Sequence, residues 1–238
     1  MTRKLFPDEP QENKSAEASE DIRDRLVVYT EQEELANSLT HGVGVLFSIV
    51  ALVVLIMRAA SYGDPYRLTS VTVYGVSMLT FYSLSTAYHT VRKPYARYVF
   101  RILDHASIYL MIAGSYTPFT LVTLRGPWGW SLFVTVWCIA VLGAILKVFH
   151  THRTPILGPI LYIVMGWLVV IALKPLSAAL APTGLKLLFA GGLAYTLGVL
   201  VYMWDNLPYN HAIWHVIVLV GSVCHFLSIF YYVTPLPN

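Results

Sequence analysis

The sequence predicts an all-α membrane protein: a seven-transmembrane helix bundle with its N-terminus cytoplasmic and its C-terminus outside. Three observations lead there. The 238 residues are 56% apolar or aromatic and only 12% charged, against about 25% charge in a soluble domain. Apolar runs long enough to cross a bilayer, about 20 residues each, recur seven times between turn signals. The basic residues fall mainly on one side of those runs. Mean hydropathy is +0.61. A net charge of +3 does not suggest a nucleic-acid surface, so membrane lipids are the expected partners. Cys138 and Cys224 lie inside apolar runs and read as small buried hydrophobes rather than a disulfide framework.

The chain divides into three parts. Residues 1–20 (MTRKLFPDEPQENKSAEASE) are polar and poor in core formers, so they read as a disordered tail. Residues 21–36 (DIRDRLVVYTEQEELA) can form a short amphipathic helix at the membrane surface. Residues 37–234 form the seven-helix transmembrane domain. The acids follow the same division: ten of thirteen lie between Asp8 and Glu34, leaving only Asp64, Asp104 and Asp205 beyond.

The expected spans run approximately Leu39–Met57, Leu68–Tyr88, Ile102–Leu124, Trp128–Leu146, Ile156–Leu173, Leu187–Trp204 and Ala212–Val233. Turn chemistry separates them, as in Gly63-Asp64-Pro65, Lys93-Pro94, Arg125-Gly126-Pro127, Thr154-Pro155 and Asn206-Leu207-Pro208. The fifth span is the least regular, because Lys174-Pro175 interrupts it and apolar residues follow. Eleven basic residues fall on the side of the N-terminus: Arg3, Lys4, Lys14, Arg23 and Arg25 in the tail, Arg92, Lys93, Arg97 and Arg101 between the second and third spans, and Lys147 and Arg153 between the fourth and fifth. The other side carries five: Arg58, Arg67, Arg125, Lys174 and Lys186. Positive charge marks the cytoplasmic face.

Ionisable residues inside spans are costly and therefore candidates for function. His41 stands near the start of the first span, His89 follows the end of the second, Asp104 and His105 open the third, and His211 and His215 open the seventh. A topology drawn only from apolar runs and basic residues brings all of them to one depth, near the cytoplasmic leaflet. His211 and His215 are four apart and share a helix face, and Ser85 and His89 have the same relation. Three neutral imidazoles with an open fourth position form a catalytic-type zinc site, at which water ionises near neutral pH. His89, His211 and His215 are the candidate ligands for Zn²⁺. Asp104 and Ser85 are the candidate catalytic residues, the first to take or hold a proton of the water and the second to orient a ligand or polarise a carbonyl.

An H-x-x-x-H pair alone is a weak motif, and His211 alone reads as a headgroup-facing side chain. The coincidence of the pair with His89 and Asp104 at one depth favours a metal. His225 lies about 15 Å deeper than His215 along the helix and reads as an interhelical hydrogen bond. His105 points away from Asp104 around the helix and reads as packing. His150 and His152 read as loop residues, Asp205 as a turn or cap, and the terminal Tyr and Trp residues as an aromatic belt.

At these residues the sequence closely resembles the hemolysin III proteins, the bacterial branch of the progestin and adipoQ receptor family. The shared elements are Glu34-x-x-Asn37-x-x-x-His41 (in EELANSLTH), Ser85-x-x-x-His89 (STAYH), Asp104 (in LDHASIYLMIAGSYTP) and His211-x-x-x-His215 (HAIWH). Each is weak alone; their order on a seven-span chain is specific. The resemblance implies seven helices with a cytoplasmic N-terminus, zinc on His89, His211 and His215, and Asp104 and Ser85 close by. It implies a multi-pass protein of the cell membrane, the inner membrane in a bacterium, with a role in lipid or energy homeostasis. The family is also similar to alkaline ceramidases, which implies metal-dependent hydrolysis of a lipid amide. No chemical role is read for Glu34, Asn37 or His41.

Three functions fit these features: a zinc hydrolase acting on a lipid amide or ester, a non-catalytic sensor of membrane state with a structural zinc, and a proton or ion pathway. The clustering of ionisable groups at one leaflet, with only His225 deeper, counts against the pathway. The charge asymmetry makes a topological prediction. A reporter fused to the N-terminus should read as cytoplasmic and one fused to the C-terminus as periplasmic or extracellular. Both termini on one side would mean an even number of spans.

Overall fold

The structure, a computed structural model, describes residues 22, 26–150 and 156–235. The whole of the expected tail, residues 1–20, lies outside them, as do residues 21 and 23–25 of the expected interfacial helix, His152 and Arg153. The described residues form seven helical rods and no strand: α1 (Glu31–Ala60), α2 (Pro65–Thr90), α3 (Pro94–Pro118, extended by a π turn Phe119–Thr123), α4 (Pro127–His150), α5 (Leu157–Ala179), α6 (Pro182–Tyr202) and α7 (Asn210–Val233, whose last five residues are a π turn). Five of them, α1 and α4 to α7, are both long and apolar enough to cross a membrane.

The helix starts follow local chemistry. Thr30 and Glu33 form a reciprocal capping box: the Thr30 amide donates to the Glu33 carboxylate at 2.9 Å, and the Glu33 amide donates to the Thr30 hydroxyl at 3.2 Å. This box starts α1 at Glu31. Within the 21–36 stretch expected to be helical, Val27–Thr30 are not helical and Glu31 onwards is. Asp64 caps α2 by accepting from the Tyr66 amide at 3.1 Å, with Pro65 in the first turn. Pro94, Pro127 and Pro182 likewise stand at helix starts, where a missing N–H costs nothing. His150 belongs to the last turn of α4 rather than to a loop.

The rods pack mainly with their chain neighbours, α1 on α2, α2 on α3, α3 on α4 and α6 on α7, and α1 also packs on α7. In α1 the usual amphipathicity is inverted. Leu35, Leu39, Val43, Leu46, Val50 and Val53 form an exposed stripe, while Glu34, Asn37, His41 and Ser48 face inward. Such a stripe suits contact with lipid. At 30 residues α1 is about 45 Å long, which exceeds a hydrocarbon core of about 30 Å. Its acidic first turn therefore extends past the apolar layer.

Inside, small residues let the helices approach closely. A Cβ on Gly44 would fall 2.3 Å from the Tyr82 ring, and one on Gly191 2.2 Å from the His225 ring. Ser222 joins three helices: its Oγ accepts from Tyr82 at 2.7 Å and Tyr195 at 3.0 Å while donating to the Val218 carbonyl at 3.1 Å.

The irregularity expected in the fifth span is present but displaced. The rod runs through Lys174-Pro175 to Ala179, and the break is a 3₁₀ stretch at Trp167–Ala172. Pro175 then stands in the first turn of the renewed helix, where its ring is tolerated. Tyr116 of α3 satisfies the broken backbone: its hydroxyl accepts from the Val169 amide at 2.9 Å and donates to the Gly166 carbonyl at 2.6 Å. In lipid no water can replace those bonds. Tyr116→Phe should therefore lower stability by about 1–3 kcal/mol, the cost of buried unsatisfied groups. Unfolding in mixed micelles checks this; an unchanged midpoint would mean that the break satisfies itself.

Candidate metal centre

His89 ends α2, and His211 and His215 occupy the first two turns of α7. Packing of the bundle brings them together: one ring nitrogen from each lies within 4.8 Å of the others, and all three side chains are buried. His89 Nε2 and His211 Nε2 are 3.1 Å apart. Nitrogens at about 2.0–2.1 Å from a tetrahedral zinc ion are about 3.3–3.4 Å from each other, so the observed spacing is close to one edge of a ligand tetrahedron.

The other nitrogen of each ring identifies which atom faces inward. His89 Nδ1 is 2.7 Å from Glu34 Oε2. An ionised carboxylate only accepts, so Nδ1 carries the hydrogen and Nε2 carries a lone pair. His215 Nδ1 is 3.2 Å from the Asn37 carbonyl and 3.1 Å from the Thr40 hydroxyl. That hydroxyl already donates to the Ala36 carbonyl at 2.8 Å, so His215 Nδ1 also donates. Its Nε2 is a buried lone pair with no hydrogen-bond partner. His211 Nδ1 meets the Tyr29 hydroxyl at 3.1 Å. Burial pushes the pKa of that phenol well up, so it stays protonated, and it can accept from Nδ1 as well as donate. Two fixed lone pairs and a third nitrogen beside them, in a buried site, are the donor set of a cation. The residues fit a metal ion.

Around this group, Glu34 Oε1 pairs with the Arg97 guanidinium, and Arg97 also reaches the Val27 carbonyl at 3.5 Å. The His41 ring stacks on that of His215 at 3.4 Å between centroids and 18° between planes. Ser85, one turn before His89, and Asp104 in α3 are both buried; the Ser85 hydroxyl lies beside the Asp104 carboxyl, whose Oδ1 has no hydrogen-bond partner. Asp104 is not in the group at ligand distance. His105 instead donates from Nδ1 to the Arg101 carbonyl at 2.7 Å. His225 Nε2 bonds the Leu188 carbonyl at 3.2 Å, an interhelical contact between α7 and α6.

The partners of the three Nδ1 atoms received no role in the sequence reading. One signal was available: Glu34, Asn37 and His41, spaced three and four apart, fall on one face of a helix. Tyr29 and the Asn37 carbonyl had none, since neither a lone aromatic nor a backbone oxygen is visible as a motif.

An apolar cavity adjoins the group. Phe81, Tyr116, Tyr195, Trp214, Val218 and His225 are among its lining. Trp214 forms a shared wall, with its ring 4.9 Å from His211 and 5.1 Å from His215 between centroids.

Fold and site together define a multi-pass, all-α membrane protein with a buried three-histidine group that can hold a metal ion. Comparison with known proteins makes this more specific. The family described as Haemolysin-III related matches residues 29–226. Hemolysin-3 of Bacillus cereus is 47% identical over 204 residues, which are 86% of this chain and 93% of that one. The Hemolysin-3 homolog of Bacillus subtilis (strain 168) is 45% identical over 210 residues, 88% and 99% of the two chains. The human Monocyte to macrophage differentiation factor is 28% identical over 212 residues, 87% of each. The chain belongs to the haemolysin-III related family.

Proposed function

We propose that the protein is a membrane-embedded zinc hydrolase that cleaves an amide or ester bond of a lipid and serves membrane lipid homeostasis. The observation that carries this reading is the inward-facing set of three buried imidazole nitrogens beside an apolar cavity, with Trp214 common to both. His89, His211 and His215 would hold the ion. When bound by three protein ligands, zinc supplies Lewis-acid activation of water.

The chain's own residues then divide the remaining work. The cavity lining takes an acyl chain, so that the polar linkage stops at the level of Trp214 and the histidines. Asp104, whose Oδ1 lacks a partner in the protein, takes the proton released by the attacking water and returns it to the leaving nitrogen or oxygen. Ser85 donates its hydroxyl to the carbonyl oxygen of the linkage. The net reaction adds water across one bond: hydroxyl to the acyl carbon, hydrogen to the leaving group.

Single substitutions separate these roles. His89→Ala, His211→Ala and His215→Ala should each strongly reduce zinc content, because a three-ligand site loses its geometry along with one bond. His225→Ala should leave zinc content unchanged. Asp104→Asn should keep zinc and abolish hydrolysis, measured with purified protein on a broad lipid panel with and without added zinc. Zinc content is read at saturating metal as well as after purification. Full zinc occupancy in the triple histidine variant would overturn the ligand set, and turnover independent of metal would overturn the hydrolase.

A further inference from the structure

Among the described residues, every Nδ1 partner of the three histidines comes from one short stretch, residues 29–40. Glu34 serves His89, Tyr29 serves His211, and the Asn37 carbonyl with the Thr40 hydroxyl serves His215. This stretch contributes none of the three grouped nitrogens. The grouped histidines stand on α2 and α7, and α1 packs on both. From this we infer that the start of α1, with the preceding Val27–Thr30 strap, is the positioning element of the metal site, and that Glu34 is its principal positioning residue. The inference rests on the metal-site reading above.

The argument for Glu34 is one of hydrogen placement. A carboxylate has no hydrogen to give, so it obliges His89 to carry its own on Nδ1 and to present Nε2 unprotonated. Arg97 occupies the other carboxylate oxygen and the Val27 carbonyl, and so holds both Glu34 and the strap. An amide in place of this carboxylate cannot satisfy both neighbours. With its oxygen towards Arg97, its NH₂ faces His89 and favours the tautomer with hydrogen on Nε2. With its oxygen towards His89, its NH₂ faces the guanidinium. Removing Arg97 resolves that conflict.

The experiment measures zinc affinity by chelator competition and the visible spectrum of the cobalt-substituted full-length protein in detergent. Loss of a partner that orients a ligand typically weakens metal binding about 10- to 100-fold. Glu34→Ala and Glu34→Gln should fall in that range and alter the cobalt spectrum. Tyr29→Phe, which removes one hydroxyl, should shift both readouts in the same direction. The double variant Glu34→Gln, Arg97→Met should bind zinc more tightly than Glu34→Gln alone, a recovery that a merely structural role for Glu34 would not produce. Wild-type affinity in Glu34→Ala and Tyr29→Phe, or no recovery in the double variant, would overturn the inference. Zinc retained by the triple histidine variant would instead overturn the metal-site reading itself. If the Glu34 variants fail to fold, Tyr29→Phe decides: unchanged affinity and spectrum refute the positioning role of this stretch.

Discussion

The hydrogen bond between His89 and Glu34 is the contact to which the rest of the site refers. It fixes which nitrogen of His89 faces inward, and the inward nitrogen lies 3.1 Å from that of His211. Beside them His215 is fixed the same way by a backbone carbonyl. An inward nitrogen that finds no hydrogen is costly in a buried place, as at His215 Nε2. A positive charge at the centre of the three rings turns the same arrangement from a cost into a binding site. The carboxylate of Glu34 would be equally costly there alone, and Arg97 offsets it.

This arrangement imposes a double duty on α1. One face must be apolar for lipid and the other must carry a carboxylate, a carboxamide and an imidazole within eight positions. The helix manages both because Glu34, Asn37 and His41 recur with the helical period, as do Leu35, Leu39 and Val43 on the other side. The capping box at Thr30 and Glu33 sets where the period begins. A shift of the whole helix by one residue in register would turn every inward group by about 100°. The 3₁₀ break in α5 shows the same economy: Tyr116 repairs the backbone there and also lines the cavity.

Much of this was legible in the sequence. The all-α membrane class followed from composition, and grouping of His89, His211 and His215 followed from placing each at the same depth. Those inferences work because a bilayer restricts depth and because i, i+4 spacing restricts direction. The rest was hidden for identifiable reasons. Lys174-Pro175 looked like the end of a span, yet Pro175 disturbs nothing where a helix restarts. Residues 21–36 looked like an interfacial helix; within that stretch the capping box at Thr30 and Glu33 starts α1 at Glu31. Glu34 stood out as a shared motif residue without a chemical role, since its partners His89 and Arg97 lie 55 and 63 residues away. Tautomer control depends on which atom faces which, and that information exists only in three dimensions.

The inner stripe of α7 bears on the choice between hydrolysis and conduction. His211, His215, Val218, Ser222 and His225 follow one another at intervals of three or four, which sets four polar groups in line along one face of the helix. Its chemistry interrupts that line. Val218 separates the two upper histidines from Ser222 and lines the apolar cavity. The Ser222 hydroxyl spends its hydrogen on the Val218 carbonyl and its lone pairs on Tyr82 and Tyr195. The His225 ring is wedged against Gly191, with Nε2 on the Leu188 carbonyl. A relay needs groups that can exchange partners, whereas these fasten α2, α6 and α7 to one another around the cavity. They make the deeper half of α7 a wall, and leave the open chemistry to its first two turns, where the histidines meet α1.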